Sequence, residues 1–248
     1  MNLPSTLLAV LFISASLVGC ASLARNGEND RDPFEPLNRR TFAFNNAVDR
    51  AVIEPVARAY RAAVPEFVRD RIRSIIDNLE EPLIFVNNLL QLRIDAAGTT
   101  FGRFVTNSTA GLGGMFDRAT PDGLPRQSGD FGQTLHRWGA EAGPYLVLPL
   151  LGPSNVRDAI GIGIDSYIDP VALIGSPRNQ RIFRITSAVV GGVDLRERNI
   201  EALEELEKNA LDLYVLLRSI VRQRRAVVLN EARKSDEVEE LVDPAPAR

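Results

Sequence analysis

The chain has 248 residues and a formal net charge of -3, so its composition gives no reason to expect nucleic-acid binding. Hydrophobic residues make up 45% of it, as in ordinary globular proteins, and the part after residue 19 is long enough for one large domain or two small ones. After Cys20 no stretch reaches the roughly 18 uninterrupted apolar residues of a conventional transmembrane helix.

An apolar N-terminal stretch precedes the only cysteine of the chain. Residues 1–19 carry no charged side chain, and residues 7–18 are apolar apart from two serines. This length is typical of the apolar part of a signal peptide and is shorter than the roughly 20 residues that cross a bilayer. The stretch ends in L-V-G-C at 17–20, which resembles the bacterial lipobox. We therefore predict a lipoprotein signal peptide at 1–19, with a covalent diacylglycerol and an N-acyl lipid on Cys20.

The alternative is a cleaved secretory signal followed by an incidental cysteine. The first residues lack the usual Lys or Arg, so only the α-amino group is positive there. A lone cysteine cannot form an internal disulfide, however, which favours acylation of Cys20. Ala21, not Asp, follows it, which resembles the outer-membrane sorting signal of Gram-negative lipoproteins. Residues 20–31 are predicted to be a lipidated flexible tether.

From residue 32 onwards, apolar residues recur mainly at helical spacing. One amphipathic helix is predicted over Pro65–Leu79. A second, Pro82–Ile94, is apolar over most of its surface except for three amide side chains, so it is either buried or in lipid. Ten residues rise only ~15 Å, half the ~30 Å hydrocarbon thickness of a bilayer, so this segment cannot span one. Gly98–Thr109 is predicted to be helical, and the glycines after it end that helix.

Prolines interrupt the apolar pattern in the next part of the chain. Asp130–Trp138 is a predicted short helix, whereas residues 143–153 are apolar and interrupted by prolines, which indicates an extended or re-entrant segment. Ser154 is predicted to cap the helix that follows. The clearest helical pattern covers Arg196–Arg225. Residues 231–248 mix acidic charge with prolines and are predicted to be a charged, disordered tail.

The sequence offers little for catalysis. His136 is the only histidine, so no metal site is predicted, and no nucleophile motif or phosphate loop occurs. We predict no catalytic residue and no cofactor beyond the lipid on Cys20. Apolar segments broken into half-bilayer lengths favour lipid handling at a membrane face. The amides of Asn87, Asn88 and Gln91 would suit a lipid headgroup; the alternative is that they hydrogen-bond other helices.

Several short motifs follow one another between residues 32 and 225. They are D-P-F-E-P-L-N-R from Asp32, F-A-F-N from Phe42, N-L-E-E-P from Asn78, V-N-N-L-L-Q from Val86, R-F-V-T-N from Arg103, G-L-G-G from Gly111, D-F-G-Q-T-L from Asp130, G-P-Y-L-V-L-P from Gly143 and G-P-S from Gly152. One such motif alone has little specificity, but this many in order has a great deal. With them the chain resembles the VacJ/MlaA family of outer-membrane phospholipid-transport lipoproteins.

The resemblance implies a mainly α fold, a single helical domain over residues 32–230. This body would be ring-shaped and embedded in one leaflet of the membrane, with short helices and Gly- and Pro-rich breaks. It would lie in the inner leaflet of the outer membrane, lipid-anchored and facing the periplasm. Mislocalised phospholipids would leave the outer leaflet through an amphipathic channel and pass to a periplasmic lipid carrier protein. Association with trimeric porins is also implied.

Within that picture we expect two kinds of functional residue besides the anchor. The channel or lipid path is assigned to five amide side chains: Asn45, Asn46, Asn87, Asn88 and Gln91. Gly139 and Gly143 are candidate hinges, with plain turn geometry as the alternative. Two other functions stay open, a structural lipoprotein that scaffolds porins and a lipid-acting hydrolase. The missing nucleophile–base pair argues against the hydrolase, so we expect a protein that is not an enzyme.

Overall fold

The computed structural model describes residues 32–171 and 173–242, with side chains to residue 232. The signal peptide, Cys20, Ala21 and the tether at 20–31 lie outside the described residues and stay predictions. The described chain is mainly α-helical, which confirms the predicted fold class, and it includes one two-stranded antiparallel sheet.

Three helical segments follow one another at the start of the described chain. They are α1 (Glu35–Val48), a short π-helix (Asp49–Ile53) and α2 (Glu54–Ala63). A proline lies in the first turn of α1 and of α2, where its missing N–H removes no intrahelical hydrogen bond. Val64 ends α2 in an extended conformation, as expected of a residue before proline.

The antiparallel helices α3 (Glu66–Leu90) and α4 (Ile94–Thr109) pack along each other. The sequence predicted two segments in place of α3, but the helix continues through Pro82. A proline removes one intrahelical hydrogen bond, and here packing against α4 outweighs that loss. At the end of α3, Leu92 adopts a positive φ of 60°, and the N–H of Arg93 donates to the carbonyl of Asn88 at 2.9 Å.

A small helical and β unit follows. It comprises α5 (Phe131–Arg137), β1 (Tyr145–Leu148), β2 (Gly152–Asn155) and α6 (Val156–Ile168). The extended segment predicted at 143–153 is a β-hairpin in which Tyr145 pairs with Asn155. Asn155, rather than the predicted Ser154, caps α6, because its side chain accepts from the N–H of Asp158 at 2.9 Å.

The chain ends in α7 (Pro177–Arg198), α8 (Ile200–Asn209) and α9 (Leu213–Val242). The prediction of one helix over Arg196–Arg225 is therefore wrong. Asp212 accepts a hydrogen bond from the N–H of Val215 at 3.2 Å, so it starts a new helix inside the apolar repeat. Helix α9 extends into the range 231–248 that we assigned to a tail, so residue 230 is not the end of a helix. No helix in the described ranges is both long and apolar enough to cross a membrane.

Candidate functional site

Among the described residues, large apolar side chains lie mainly at the surface and polar side chains fill much of the interior. Thirty-one large apolar residues are exposed and nine apolar residues are buried, compared with sixteen buried polar or charged residues. A water-soluble domain usually shows the opposite preference, and its surface rarely carries large contiguous apolar patches. This distribution is the one expected of a protein whose surroundings include lipid.

Helix α4 shows this inversion most clearly. Its inner face carries four buried residues at spacings of three and four: Ala97, Thr100, Arg103 and Asn107. Its outer face carries Ile94, Phe101 and Val105, which are 57%, 55% and 42% exposed. The helix is amphipathic, but Arg103 points inwards and Phe101 points outwards, while Asp95 is exposed in its first turn. Lipid is the surrounding that makes this orientation favourable.

The inward charge of α4 is fully paired. Arg103 is 3% exposed, and its Nε donates to the fully buried Glu81 of α3 at 2.7 Å. Its Nη1 donates to the carbonyl of Leu124 at 2.6 Å and to the hydroxyl of Thr120 at 3.0 Å. Burial raises the pKa of the Glu81 carboxyl, and the bond from Arg103 only partly offsets this. One arginine thus joins α3, α4 and the loop after them.

The same loop is held by a second residue of the R-F-V-T-N motif. The side-chain oxygen of Asn107 accepts the N–H groups of Arg118 at 2.8 Å and Ala119 at 3.0 Å. Gly114 packs so closely on Asn78 that an added Cβ would lie 2.6 Å from the Asn78 Cβ. Three separate sequence motifs, beginning at 78, 103 and 111, therefore form one cluster, which explains why they occur together.

The three amides of α3 predicted for the lipid path lie in the interior. Asn87 and Asn88 are 0% exposed and Gln91 is 2% exposed. Asn87 donates to Asp165 at 2.8 Å and accepts from Thr134 at 2.9 Å. The alternative raised from the sequence, hydrogen bonding to other helices, therefore describes the contacts of Asn87 and Gln91 in this structure. These two join α3 to α5 and α6, and no water-accessible surface reaches Asn87 or Asn88.

Two further bonds complete this group. Gln91 donates from Nε2 to the Thr134 hydroxyl at 3.1 Å, and Asn88 accepts from Arg93 at 3.0 Å. Burial raises the pKa of the Asp165 carboxyl, although the N–H groups of Phe131 and Asn87 lower it. The interior here is polar and hydrogen-bonded, which makes its geometry specific.

Asn45 and Asn46, the other predicted pair, lie near the end of α1 and differ in role. Asn45 donates to the carbonyl of Leu148 at 2.9 Å and accepts the N–H of Leu150 at 2.8 Å, so both ends of its amide bind the tip of the β-hairpin. Asn46 is half-buried, and its side chain makes no hydrogen bond within the described part of the chain. Of the pair, only Asn46 has an amide left over for a ligand.

Asn38, seven residues before Asn45, repeats the same arrangement and was missed from the sequence. Its amide donates to the carbonyl of Tyr145 at 3.0 Å and accepts the N–H of Val147 at 2.9 Å. Residues seven apart lie on one face of a helix, so α1 binds β1 at both ends as a second strand would. The N-x6-N spacing within the first two motifs was the available signal.

Asp32 and Arg39 explain the rest of the first motif. Asp32 accepts hydrogen bonds from Asn38 at 3.0 Å and from the hydroxyl of Tyr214 in α9. Arg39 donates to Asp212 at 2.7 Å and lies 4.5 Å from the centre of the Tyr214 ring. The first residues that the structure describes are thereby bound to the last helix.

The two predicted hinge glycines precede the hairpin. Gly139 has a φ of +91° with nothing within 4 Å of an added Cβ, and Gly143 has a φ of +67°. A Cβ on Gly143 would lie 3.2 Å from that of Val156. Both positions need the left-handed conformation that glycine adopts freely. This geometry satisfies the turn interpretation and leaves the hinge a prediction.

Charged residues dominate the region around the start of α3. A cavity of about 410 Å³ lies between α2, α3 and α7, and charged side chains line it: Arg61, Glu66, Arg69, Asp70, Arg73, Glu197 and Arg198. Arg61 bonds Glu197 at 2.8 Å and Arg73 bonds Asp194 at 3.3 Å, so these charges neutralise each other. In the part of the chain that the structure describes, no group of three or more His, Cys, Asp or Glu residues could hold a metal ion.

Comparison with known proteins adds to this geometry. Residues 30–227 match the family described as "MlaA lipoprotein". The chain is 31% identical over 246 residues to the "Intermembrane phospholipid transport system lipoprotein MlaA" of Haemophilus influenzae, covering 96% of both chains. The protein of the same description from Escherichia coli is 31% identical over 218 residues, covering 86% of this chain and 84% of that protein.

A solved structure is also similar to this one. It is described as "Structural basis for maintenance of bacterial outer membrane lipid asymmetry". It shares 32% sequence identity with this chain and superposes with a TM-score of 0.70. The match covers 80% of this chain and 99% of the other.

Proposed function

The chain belongs to the MlaA lipoprotein family, and from this premise we propose that it removes mislocalised phospholipids from the outer leaflet of the outer membrane. The relatives are described as lipoproteins of intermembrane phospholipid transport, and the similar structure concerns outer-membrane lipid asymmetry. In this proposal the phospholipid passes through an amphipathic channel to a periplasmic lipid carrier protein. The process is retrograde transport that maintains lipid asymmetry, and it involves no catalysis.

The observation that carries the proposal is the orientation of α4. Its buried Arg103 and exposed Phe101 suit a helix with lipid outside and a polar protein interior inside. A helix of 16 residues is ~24 Å long, less than the ~30 Å of hydrocarbon in a bilayer. Such helices fit a ring-shaped body that occupies one leaflet, here the inner leaflet of the outer membrane.

The transport step can then be passive. A phospholipid in the outer leaflet of an asymmetric membrane is in an unfavourable place, so a shielded path lets it move downhill. A polar interior gives its headgroup hydrogen-bonding partners that lipid tails cannot supply. Because the body occupies the inner leaflet, it admits few lipids that are already there, and this gives the movement a direction.

Asn46 is the residue we favour for headgroup contact along the path. Its amide is unused within the described residues. Asn45 binds the hairpin, Asn87 and Gln91 bind other helices, and Asn88 binds Arg93 in the connection to α4. In this proposal, these four engaged amides hold the elements that surround the path and do not contact the lipid. The hairpin that Asn45 holds begins at Gly143, and we propose movement of the hairpin there.

In this proposal, Cys20 and Ala21 target the protein to the outer membrane. The body already exposes much apolar surface, so the acyl chains need not supply all the membrane affinity. We expect a Cys20→Ala chain to lose processing and sorting, while its body still binds lipid in vitro. Association with trimeric porins would place this body beside a partner that does span the membrane.

The test is the amount of phospholipid in the outer leaflet of a deletion strain. Complementation with the wild-type chain should lower it, and complementation with the Cys20→Ala chain should not. If surface phospholipid stays high although the wild-type chain reaches the outer membrane, the proposal fails.

A photo-crosslinker at Asn46 separates the alternatives. Phospholipid adducts support transport, whereas porin adducts alone support a scaffolding lipoprotein. Release of fatty acid from phospholipid by the purified chain would instead indicate a hydrolase.

A further inference from the structure

Helix α7 changes character at Asp194. From this point its charges are paired, and all but Arg198 are buried: Asp194 accepts from Arg73 at 3.3 Å, and Arg196 donates to Asp49 at 2.9 Å. Before it, no acidic residue occurs between Asp169 and Asp194. The first part of α7 is therefore positively charged, while the last part is neutralised by its neighbours.

Three arginines carry that positive charge. Arg178, Arg181 and Arg184 make no ion pair or hydrogen bond within the described residues, although most other arginines there do. The Nε atom of Arg184 is buried and has no partner among them. A buried donor without an acceptor is unfavourable unless something outside the described chain satisfies it.

Their position on the helix is also unfavourable for the isolated chain. Ser176 caps α7 and accepts from the N–H of Asn179 at 3.3 Å, so Arg178 and Arg181 lie in the first two turns. The start of a helix carries partial positive charge, which repels cations and attracts anions. The first turn of α7 contains no acidic residue to balance it. An external anion at this end would offset both the arginines and the helix terminus.

Exposed apolar residues lie beside Arg178 and Arg181. Ile182, Ile185 and Val189 are 53%, 58% and 58% exposed and fall within an arc of ~60° at 100° per residue. Arg178 lies within that arc, and Leu173 and Ile174 are exposed just before the helix. A basic helix with an exposed apolar face is typical of segments that lie at a membrane interface.

We propose that this basic segment, residues 173–189, binds negatively charged phospholipid. In this arrangement the three arginines contact the lipid phosphate groups, while the isoleucines and Val189 lie among the acyl chains. Charge complementarity selects this occupant, because neither an acidic side chain nor another polar group of the described chain neutralises the segment. The inference rests on the proposed function and extends it to lipid class: anionic headgroups gather at this side of the body.

A single probe on the segment tests the proposal in the full, acylated chain. Cys20 is the only cysteine and its thiol is blocked once acylated, so a Thr186→Cys chain has one free thiol for a fluorophore on α7. The labelled protein is reconstituted in vesicles that contain the same fraction of brominated lipid, either phosphatidylglycerol or phosphatidylethanolamine. We expect brominated phosphatidylglycerol to quench the fluorophore about twofold more strongly, with the excess falling as salt is added.

The chain offers a matched control for the arginines. The triple variant R178Q/R181Q/R184Q should abolish the preference for phosphatidylglycerol. The variant R40Q/R118Q/R224Q removes the same amount of charge from three other exposed arginines that have no side-chain partner in the described chain, and it should retain the preference. Equal loss in both variants would attribute the effect to net charge and overturn the proposal.

Two other results would also overturn it. Equal quenching by both lipids places the segment in the membrane without selectivity. Quenching by neither lipid, with the fluorophore shielded instead by an added acidic protein, gives the surface a different occupant. None of these results changes the surface-phospholipid assay, so failure of this inference and failure of the proposed function are distinguishable.

Discussion

The α3–α4 pair and the α2–α8 region place their charges in opposite ways. In the first, Arg103 and Glu81 pair in the interior and Phe101 faces outwards. In the second, Arg58 pairs with Glu204 at the surface, and α2 and α8 bury Ala57 and Ile200 respectively. The second arrangement is the ordinary one for a protein surface in water.

Under the proposed function, two surroundings account for this difference. Lipid favours apolar side chains outside α4, and water favours the exposed ion pairs between α2 and α8. The pKa values of the carboxyl groups in the two regions also differ. Burial raises the pKa of Glu81, whereas the hydrogen bond from Arg61 lowers the pKa of the exposed Glu201 to about 2. The α2–α8 region is thus the one we expect to face the aqueous periplasm.

The largest effect should come from breaking the buried ion pair between Arg103 and Glu81. Arg103→Met leaves Glu81 buried without its cation, which should lower the free energy of unfolding by about 3–5 kcal/mol. Arg58→Met, the matched control at the surface, should have a much smaller effect, because water screens an exposed ion pair. Urea unfolding of the full chain in detergent micelles measures both. Equal losses in the two variants would remove the distinction between the regions.

A charge on the outer face of α4 should have the next largest effect. Burying a phenylalanine in an apolar medium is worth about 2 kcal/mol, so Phe101→Lys should expel this face from lipid. The readout is a fluorophore on Val105→Cys, whose quenching by brominated phospholipid should fall by more than half. Asn209→Lys adds the same charge at the exposed end of α8 and should leave the quenching unchanged. Persistent quenching in Phe101→Lys would show that α4 does not face lipid.

The smallest effect concerns pH and the exposed pairs. Because the pKa of Glu201 is lower in the folded chain, its contribution is present above its usual unfolded pKa of about 4.3 and is lost as pH falls towards about 2. The wild-type chain should therefore lose its stability advantage over Glu201→Gln across this window. Midpoints of urea unfolding at a series of pH values measure the difference. An advantage that is unchanged at pH 2 would mean that the pair with Arg61 does not form.

The local sequence pattern was sufficient to predict most helices, but it did not predict where they end. The helix that we predicted over Gly98–Thr109 lies within α4, and the segment at 143–153 is extended as its prolines indicated. The single helix predicted over Arg196–Arg225 is interrupted because Asp212 caps α9 and binds Arg39 from the other end of the chain. Apolar spacing does not report such a contact, since Arg39 is far away in sequence.

The same reasoning applies to the candidate site. The sequence identified the amides of α3 as unusual, but it could not say which side of the helix faces lipid. Asn87 is buried because Thr134 and Asp165 meet it there, and those partners come from other helices. The roles of Asn45 and Asn46 could be distinguished only once the hairpin lay against α1, because only Asn45 binds it. Hydrogen-bond partners distant in sequence decide such roles.

By itself, the sequence determined the family, the mainly helical class and the half-bilayer length of the apolar segments, because ordered motifs and periodicity are local properties. The tertiary structure alone decided that α4 turns Arg103 inwards and Phe101 outwards, and that three arginines in the first part of α7 have no ion-pair partner among the described residues. An amphipathic pattern has two faces, and only the packing of neighbouring helices determines which of them is covered by protein.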